Sequence, residues 1–249
     1  MKSILNNKAS EKLIFALDTK SYDEALSWVE LLSGHVGMFK IGKGLFTSAG
    51  PKIVEEIKKR GQRVFLDLKF HDIPNTVARA VEAAMEYDVD MLNVHASGGS
   101  EMIRQAVLAA TAFAEKQKKS KPVILAVTVL TSLDDADLDE IGFKSEVDDL
   151  VINLAKLAKE AGADGVVASP VDIINLRKSF GDDFVVVTPG VRVAADASRD
   201  DQKRTLSATE AIKAGSDYIV VGRPIREADQ PLNACLKIIQ EIEDALSVK

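Results

Sequence analysis

The feature that most constrains this chain is a rhythm. Short, β-rich apolar runs alternate with longer amphipathic stretches from one end to the other. The runs are LIFALD (13–18), MFKIG (38–42), RVFLDLKF (63–70), MLNVHA (91–96), VILAVTVL (123–130), GVVAS (165–169), FVVVTPG (184–190) and YIVVGR (218–223), eight in all. They are nearly unbroken rather than alternating, as strands buried on both faces of a parallel sheet are.

The stretches between them carry helical spacing. Met102, Ile103, Ala106, Val107, Ala110 and Phe113 follow the i, i+3, i+4, i+7 rule, as do Leu232, Cys235, Leu236, Ile239 and Ile242 near the end. Gly34, Gly61, Gly162 and Gly215 each stand shortly before the next apolar run. Glycine there is a helix stop, because it enters the left-handed conformation at little cost.

Eight β-then-α units in 249 residues match an α/β fold of one kind, a single (β/α)8 TIM barrel spanning residues 1–249. The alternative is a doubly wound open sheet, which usually opens with a glycine-rich first turn. Here that turn reads Asp18-Thr19-Lys20-Ser21, without GxGxxG. The charged segment 134–149 reads as a helical insert or decorated loop after the fifth strand.

Composition narrows the function classes. With 32 basic against 38 acidic side chains, the net charge of −6 lacks the positive field of a dedicated nucleic-acid binder. The longest apolar run, Pro122 to Leu130, is far below the roughly 20 residues of a membrane span. The opening MKSILNNKASEK has no hydrophobic signal core, and Cys235 is the only cysteine, so a cytoplasmic location is expected. On the apolar face of the last helix, Cys235 reads as a core residue.

In a parallel barrel the chemistry sits at the C-terminal strand ends. Asp18 ends the first strand, Lys40 lies on the second, and Asp67 and Lys69 lie on the third, followed by His71, Asp72 and the Ile-Pro-Asn-Thr76 segment. Asp67 and Lys69 are two apart and should point to one side of a strand. Either ion alone would be costly in so apolar a setting. Asp18, Lys40, Asp67, Lys69 and Asp72 can instead form an alternating array that keeps all of them ionised. Such fixed charge suits a transition state that develops negative charge on carbon. The plainer reading of Asp67 and Lys69 is a structural ion pair.

A second group follows strands seven and eight, where barrels often hold phosphate on backbone N–H groups and a short helix. Gly190 and Gly222 permit close approach, and Arg192 and Arg223 supply charge-assisted donors. Between them, 192–206 is long and polar and reads as a mobile lid, bringing Gln202 to a substrate while Lys203 and Arg204 face solvent. His35, His71 and His95 lack metal-ligand spacing, so no metal is required, and no cofactor motif is visible. His71 could serve as a general base but more naturally packs locally.

Together these residues resemble the orotidine 5′-phosphate decarboxylase family over almost the whole chain. The core motif is D-x-K-x-x-D, here Asp67-Leu-Lys69-Phe-His-Asp72, and it is joined by Leu130-Thr131-Ser132, Pro189-Gly-Val-Arg192, Asp201-Gln202 and Gly222-Arg223-Pro224-Ile225. The resemblance implies cofactor-free conversion of orotidine 5′-phosphate to UMP, the last step of de novo pyrimidine nucleotide synthesis, in a homodimer. It implies that Asp18 and Lys40 hold the ribose and that Asp67 faces the substrate carboxylate. Lys69 would stabilise and protonate the C6 carbanion. Asp72 and Thr76 would enter from the neighbouring subunit. Thr131 and Ser132 would line the pyrimidine, and Arg192, Gln202, Gly222 and Arg223 would grip phosphate.

Two other functions compete. D-x-K-x-x-D is shared with 3-keto-gulonate 6-phosphate decarboxylase and hexulose phosphate synthase, so a magnesium-dependent sugar-phosphate lyase or aldolase is one. Ser132 and Gln202 weigh against it, since a sugar lacks the pyrimidine edge they would contact. A non-catalytic phosphate-binding barrel is the other, and the intact charge array weighs against that.

Overall fold

The computed structural model describes residues 8–192 and 206–247, with only the backbone at Arg192. Within them, eight parallel strands close into a barrel: β1 Leu13–Ala16, β2 Met38–Gly42, β3 Val64–Phe70, β4 Met91–His95, β5 Val123–Val127, β6 Gly165–Val167, β7 Val185–Thr188 and β8 Tyr218–Val221. Each pairs with its sequence neighbours, and β1 closes on β8 with Leu13 opposite Ile219 and Phe15 opposite Val221. The fold is a (β/α)8 TIM barrel; the open-sheet alternative is excluded by that closure.

The unbroken apolar runs have a simple origin. Ile14, Phe65, Leu125, Val187 and Val220 point into the barrel, where they pack with Met38, Met91 and Val167. Their neighbours Leu13, Phe15, Leu66, Ile124, Val186 and Ile219 point outward beneath the helices. Both faces of each strand are therefore dry.

The helix stops fall where expected: Gly34, Gly61, Gly162 and Gly215 all have positive φ, from 71° to 113°. Segment 134–149 forms a short helix, Asp135–Glu140, held by an Asp134 capping box, and then opens the long helix Val147–Glu160. The last helix, Pro231–Ser247, corrects one expectation. Leu236 is 40% exposed, and Ile238 takes the core position beside Cys235, Ile239 and Ile242. Cys235 is fully buried, and desolvation pushes its thiol up to about 12.

Several strands stop earlier than the apolar runs. Strands β1, β5, β6, β7 and β8 leave the sheet two or three residues before the predicted ends, all at the C-terminal mouth. There the backbone turns away to line a cavity. Beyond β7, Val191–Arg192 pairs in parallel with Leu206–Ser207, so the two flanks of 193–205 lie side by side. Residues 1–7, and 193–205 with Gln202, Lys203 and Arg204, lie outside the described residues, as does the Arg192 side chain. No helix among the described residues is long and apolar enough to cross a membrane.

Candidate active site

At the C-terminal ends of the strands lies a cavity of about 1500 Å³. Its floor is the inward apolar layer, with Phe65, Val127, Val167 and Val220 exposed to it. Asp18, Lys40, Asp67 and Lys69 form one wall, and Pro189, Gly190, Gly222 and Arg223 another. Thr131 also lines it.

The charged wall is a continuous chain of ion pairs. Lys40 Nζ lies 3.3 Å from Asp18 Oδ1 and 3.2 Å from Asp67 Oδ2, and Lys69 Nζ lies 2.5 Å from Asp67 Oδ1. Lys40 and Asp67 are both buried, at 9% and 8% exposure. Burial alone would lower the Lys40 pKa, but the Asp67 and Asp18 carboxylates outweigh it and hold it above its ordinary value. Burial likewise pushes Asp67 up, while Lys40 and Lys69 overcome that and hold it below the usual carboxylate range. Both groups thus stay ionised near neutrality.

Simple strand alternation does not account for the Asp67–Lys69 pair. Between Leu66 and Phe70 the β3–β4 register slips, so Leu66 faces Leu92 while Phe70 faces Val94. Lys69 sits within this irregularity at φ +50°, a conformation that a non-glycine residue holds at a cost of order 1–3 kcal/mol. The bulge re-aims the ammonium, and the side chains meet because the strand is broken there.

The array of five ions is only four within one chain. Asp72 is exposed, its carboxylate accepts the Ile73 backbone N–H at 2.6 Å, and it does not line the cavity. Thr76 is likewise exposed, on the first turn of the helix Pro74–Met85, and Ile73 beside it is 67% exposed. Ser132 is exposed and outside the cavity lining, next to Thr131, which is inside it. His71 packs against His95, with ring centroids 5.3 Å apart.

On the opposite wall, Gly190 has φ +79°, open to glycine and poorly to other residues. At Gly222 an added Cβ would come within 3.2 Å of Ala16 Cβ, so the backbone there passes close to the end of β1. The short helix Arg223–Arg226 begins at that point.

Sequence reasoning passed over two residues here. Arg226 donates to the Asp18 backbone carbonyl at 2.8 Å and so ties the segment after β8 to the charged wall. Asn93, fully buried on β4, donates to Asp67 Oδ1 at 2.7 Å. The signal for Asn93 was present, as the one amide inside an otherwise apolar strand; Arg226 carries none beyond its nearness to Arg223.

Fold and pocket together define a (β/α)8-barrel protein with an ionised, water-accessible pocket at its strand C-termini. The comparisons narrow the class. Residues 11–238 match the model of the orotidine 5′-phosphate decarboxylase / HUMPS family, and the chain belongs to that family. The orotidine 5′-phosphate decarboxylase of Syntrophus aciditrophicus is 51% identical over 249 residues, covering 100% of this chain and 99% of that one. That of Trichlorobacter lovleyi is 50% identical, covering 95% and 97%. The crystal structure of the Lactobacillus acidophilus orotidine 5′-phosphate decarboxylase superposes with a TM-score of 0.82 at 38% identity, over 92% of this chain and 98% of that one.

Proposed function

We propose that this chain decarboxylates orotidine 5′-phosphate to UMP, and that the Asp18–Lys40–Asp67–Lys69 array carries out the reaction without a cofactor. The observation that carries this reading is the array itself: two buried, oppositely charged residues held ionised beside a third, half-buried ammonium that faces the cavity. Family membership and the close relatives support the substrate.

In this reading the bond from C6 to the carboxylate carbon breaks, carbon dioxide leaves, and the electron pair stays on C6 in the ring plane. The Lys69 ammonium stabilises that pair and then donates its proton to C6; water restores the proton to the amine. Asp67 lies against the departing carboxylate, and a preorganised cation opposite it replaces the electron sink that the pyrimidine cannot offer. Asp18 and Lys40 take the ribose hydroxyls, Thr131 lies against the pyrimidine, and Ser132, which stands outside the cavity lining here, turns inward to bond its amide edge. Arg192, Gln202, Gly222 and Arg223 take the phosphate, with 192–206 acting as the lid. Binding energy from the distant phosphate is thereby spent at the reacting carbon.

We further propose a homodimer in which Asp72 and Thr76 complete the neighbouring site. Their exposure, with that of Ile73, is what a residue set awaiting a second subunit would show.

The decisive assay follows the loss of orotidylate absorbance in excess chelator. Turnover that survives the chelator and disappears in Lys69→Ala supports the proposal; folded protein that leaves orotidylate untouched rejects it. Magnesium-dependent turnover of a keto-sugar phosphate instead would transfer the chain to the lyase reading. For the shared site, Lys69→Ala and Asp72→Ala are each inactive alone and regain activity when mixed and reassembled. Inactive mixed dimers, with subunit exchange demonstrated, would reject that arrangement.

A further inference from the structure

Asn93 has a more specific role than filling a buried position. It sits between Leu92 and Val94, which lie in the core, and it is itself fully buried. A buried amide is tolerated only where its donors and acceptors are met. Its Oδ1 accepts the backbone N–H of Lys69 at 2.8 Å, and its Nδ2 donates to Asp67 Oδ1 at 2.7 Å. These partners fix the orientation of the amide, since a backbone N–H only donates and an ionised carboxylate only accepts.

The need for this amide follows from the break in β3. From Leu66 to Phe70 that strand advances four residues while β4 advances two, from Leu92 to Val94. The slip takes the Lys69 N–H out of the ladder, and a buried N–H must find another acceptor. Asn93 Oδ1 takes the place of the missing strand carbonyl. Its other atom holds the carboxylate oxygen that also receives Lys69 Nζ.

We infer that Asn93 is a positioning residue for the proposed decarboxylation: one amide clamps the left-handed backbone of Lys69 and the carboxylate of Asp67 together, setting where the ammonium stands in the cavity. The inference rests on the function proposed above. Asn93 is not among the residues lining the cavity, so it acts through the other two. Aspartate at 93 would keep the shape and the acceptor but would turn a second carboxylate toward Asp67. Leucine would keep the volume and lose both bonds.

The test compares Asn93→Leu and Asn93→Asp with the parent chain by three measurements: kcat on orotidylate, UMP affinity by calorimetry, and the separation of Lys69 Nζ from Asp67 Oδ1 in crystal structures of the variants. Displacing the ammonium should lower kcat by about 100-fold, the scale of a 1 Å misplacement. UMP affinity should hold, because the phosphate wall lies across the barrel on β7 and β8. In the parent chain the Lys69–Asp67 separation is 2.5 Å. Leucine frees both the Lys69 N–H and Asp67 Oδ1, and aspartate sets a second carboxylate against Asp67, so both variants should lengthen that separation by about 1 Å.

A packing role would leave that separation and kcat at their parental values and lower only thermal stability. Parental kcat in either folded variant overturns the inference, as does a loss of kcat matched by a loss of UMP affinity. Should the leucine variant not fold, the aspartate variant decides alone. If the parent folds but leaves orotidylate untouched, the functional reading fails, while the Lys69–Asp67 separation in the variants still judges the clamp.

Discussion

The barrel uses the same two residue types, aspartate and a basic partner, at its two ends for different ends. At the N-terminal end, Asp90, Asp164 and Asp217 each stand directly before β4, β6 and β8. Each carboxylate accepts a backbone N–H from the preceding strand, of Val64, Ile124 and Val186, at 2.7–2.8 Å. Each returns its own N–H to the carbonyl of the same residue at 2.9 Å. Each also binds one cation: Lys58 at 2.7 Å, Lys121 at 2.6 Å and Arg177 at 2.6 Å. At the fourth such place, before β2, Gly37 keeps only the backbone bond, because an added Cβ would meet the Glu11 carbonyl at 2.3 Å.

At the mouth, by contrast, the Asp67 carboxylate receives no backbone N–H among the described residues. It is held by Lys40, Lys69 and Asn93. A carboxylate locked into the backbone at one end closes a strand pair. A carboxylate held by two ammonium groups at the other keeps the buried Lys40 charged and Lys69 aimed. What separates a clamp from a reactive site here is which groups satisfy the carboxylate, and whether a partner cation is left facing open space.

The sharpest break of this contrast is Lys69→Ala. In the proposed mechanism it removes the acid that meets the carbanion, so kcat should fall by at least about 10⁴-fold, the scale of losing a group that acts on the reacting bond. Asp67 keeps Lys40 and Asn93, and alanine is no worse than lysine at φ +50°, so urea unfolding should shift little. A large stability loss would return Lys69 to the class of structural ion pairs.

Next in size is the opposite case. Arg177 also binds the carbonyls of Gly181, Phe184 and Gly215, and its side chain is 12% exposed. Arg177→Ala leaves those acceptors and Asp217 short of a donor, and should cost about 3 kcal/mol in urea unfolding. The kcat of the folded fraction should stay at the parental value. Equal losses of turnover would show that the two ends are coupled.

Acid provides a third, smaller test at the mouth alone. Burial, then the charges of His71, Lys69 and Lys43, against a smaller opposing pull from Asp67, bring the His95 pKa down from 6.5 to about 4. Between those values the unfolded chain takes a proton that the folded chain refuses, so stability falls as pH drops from about 6.5 and levels off below about 4. His95 is half-buried, and solvent screening keeps the effect modest. His95→Gln should flatten the thermal midpoint across that window. An unchanged slope would assign the acid sensitivity elsewhere.

Much of this was legible in the chain, and particular residues show where legibility stops. The eight apolar runs and the glycine stops mark the barrel because burial on both faces and left-handed C-caps leave local signatures. Asp18, Lys40, Asp67 and Lys69 were readable as a group because charges inside apolar runs are costly. The bulge at Lys69 was not, since it depends on how β3 meets β4, and alternation on one strand carries no word of its neighbour. Leu236 fits the helical spacing of a core position and yet borders the cavity, because the period of a helix does not say how wide its buried face is. The aspartates before β4, β6 and β8 stand in plain sequence as Asp-Met, Asp-Gly and Asp-Tyr. Their bonds run to strands some thirty residues earlier in the chain, which spacing alone does not link.

The finest test divides a single clamp into its parts. Lys58 and Asp90 are each about one-quarter exposed, so their ion pair is partly screened, while the two backbone bonds of Asp90 lie where the sheet begins. Lys58→Met keeps the length of the side chain and removes only the charge; it should cost about 1 kcal/mol or less. Asp90→Ala also deprives the Val64 N–H of its acceptor and should cost about 2 kcal/mol. If instead the two variants proved equally destabilised, the cation would be the working half of the clamp. The N-terminal carboxylates would then differ from Asp67 in the number of their charged partners rather than in kind.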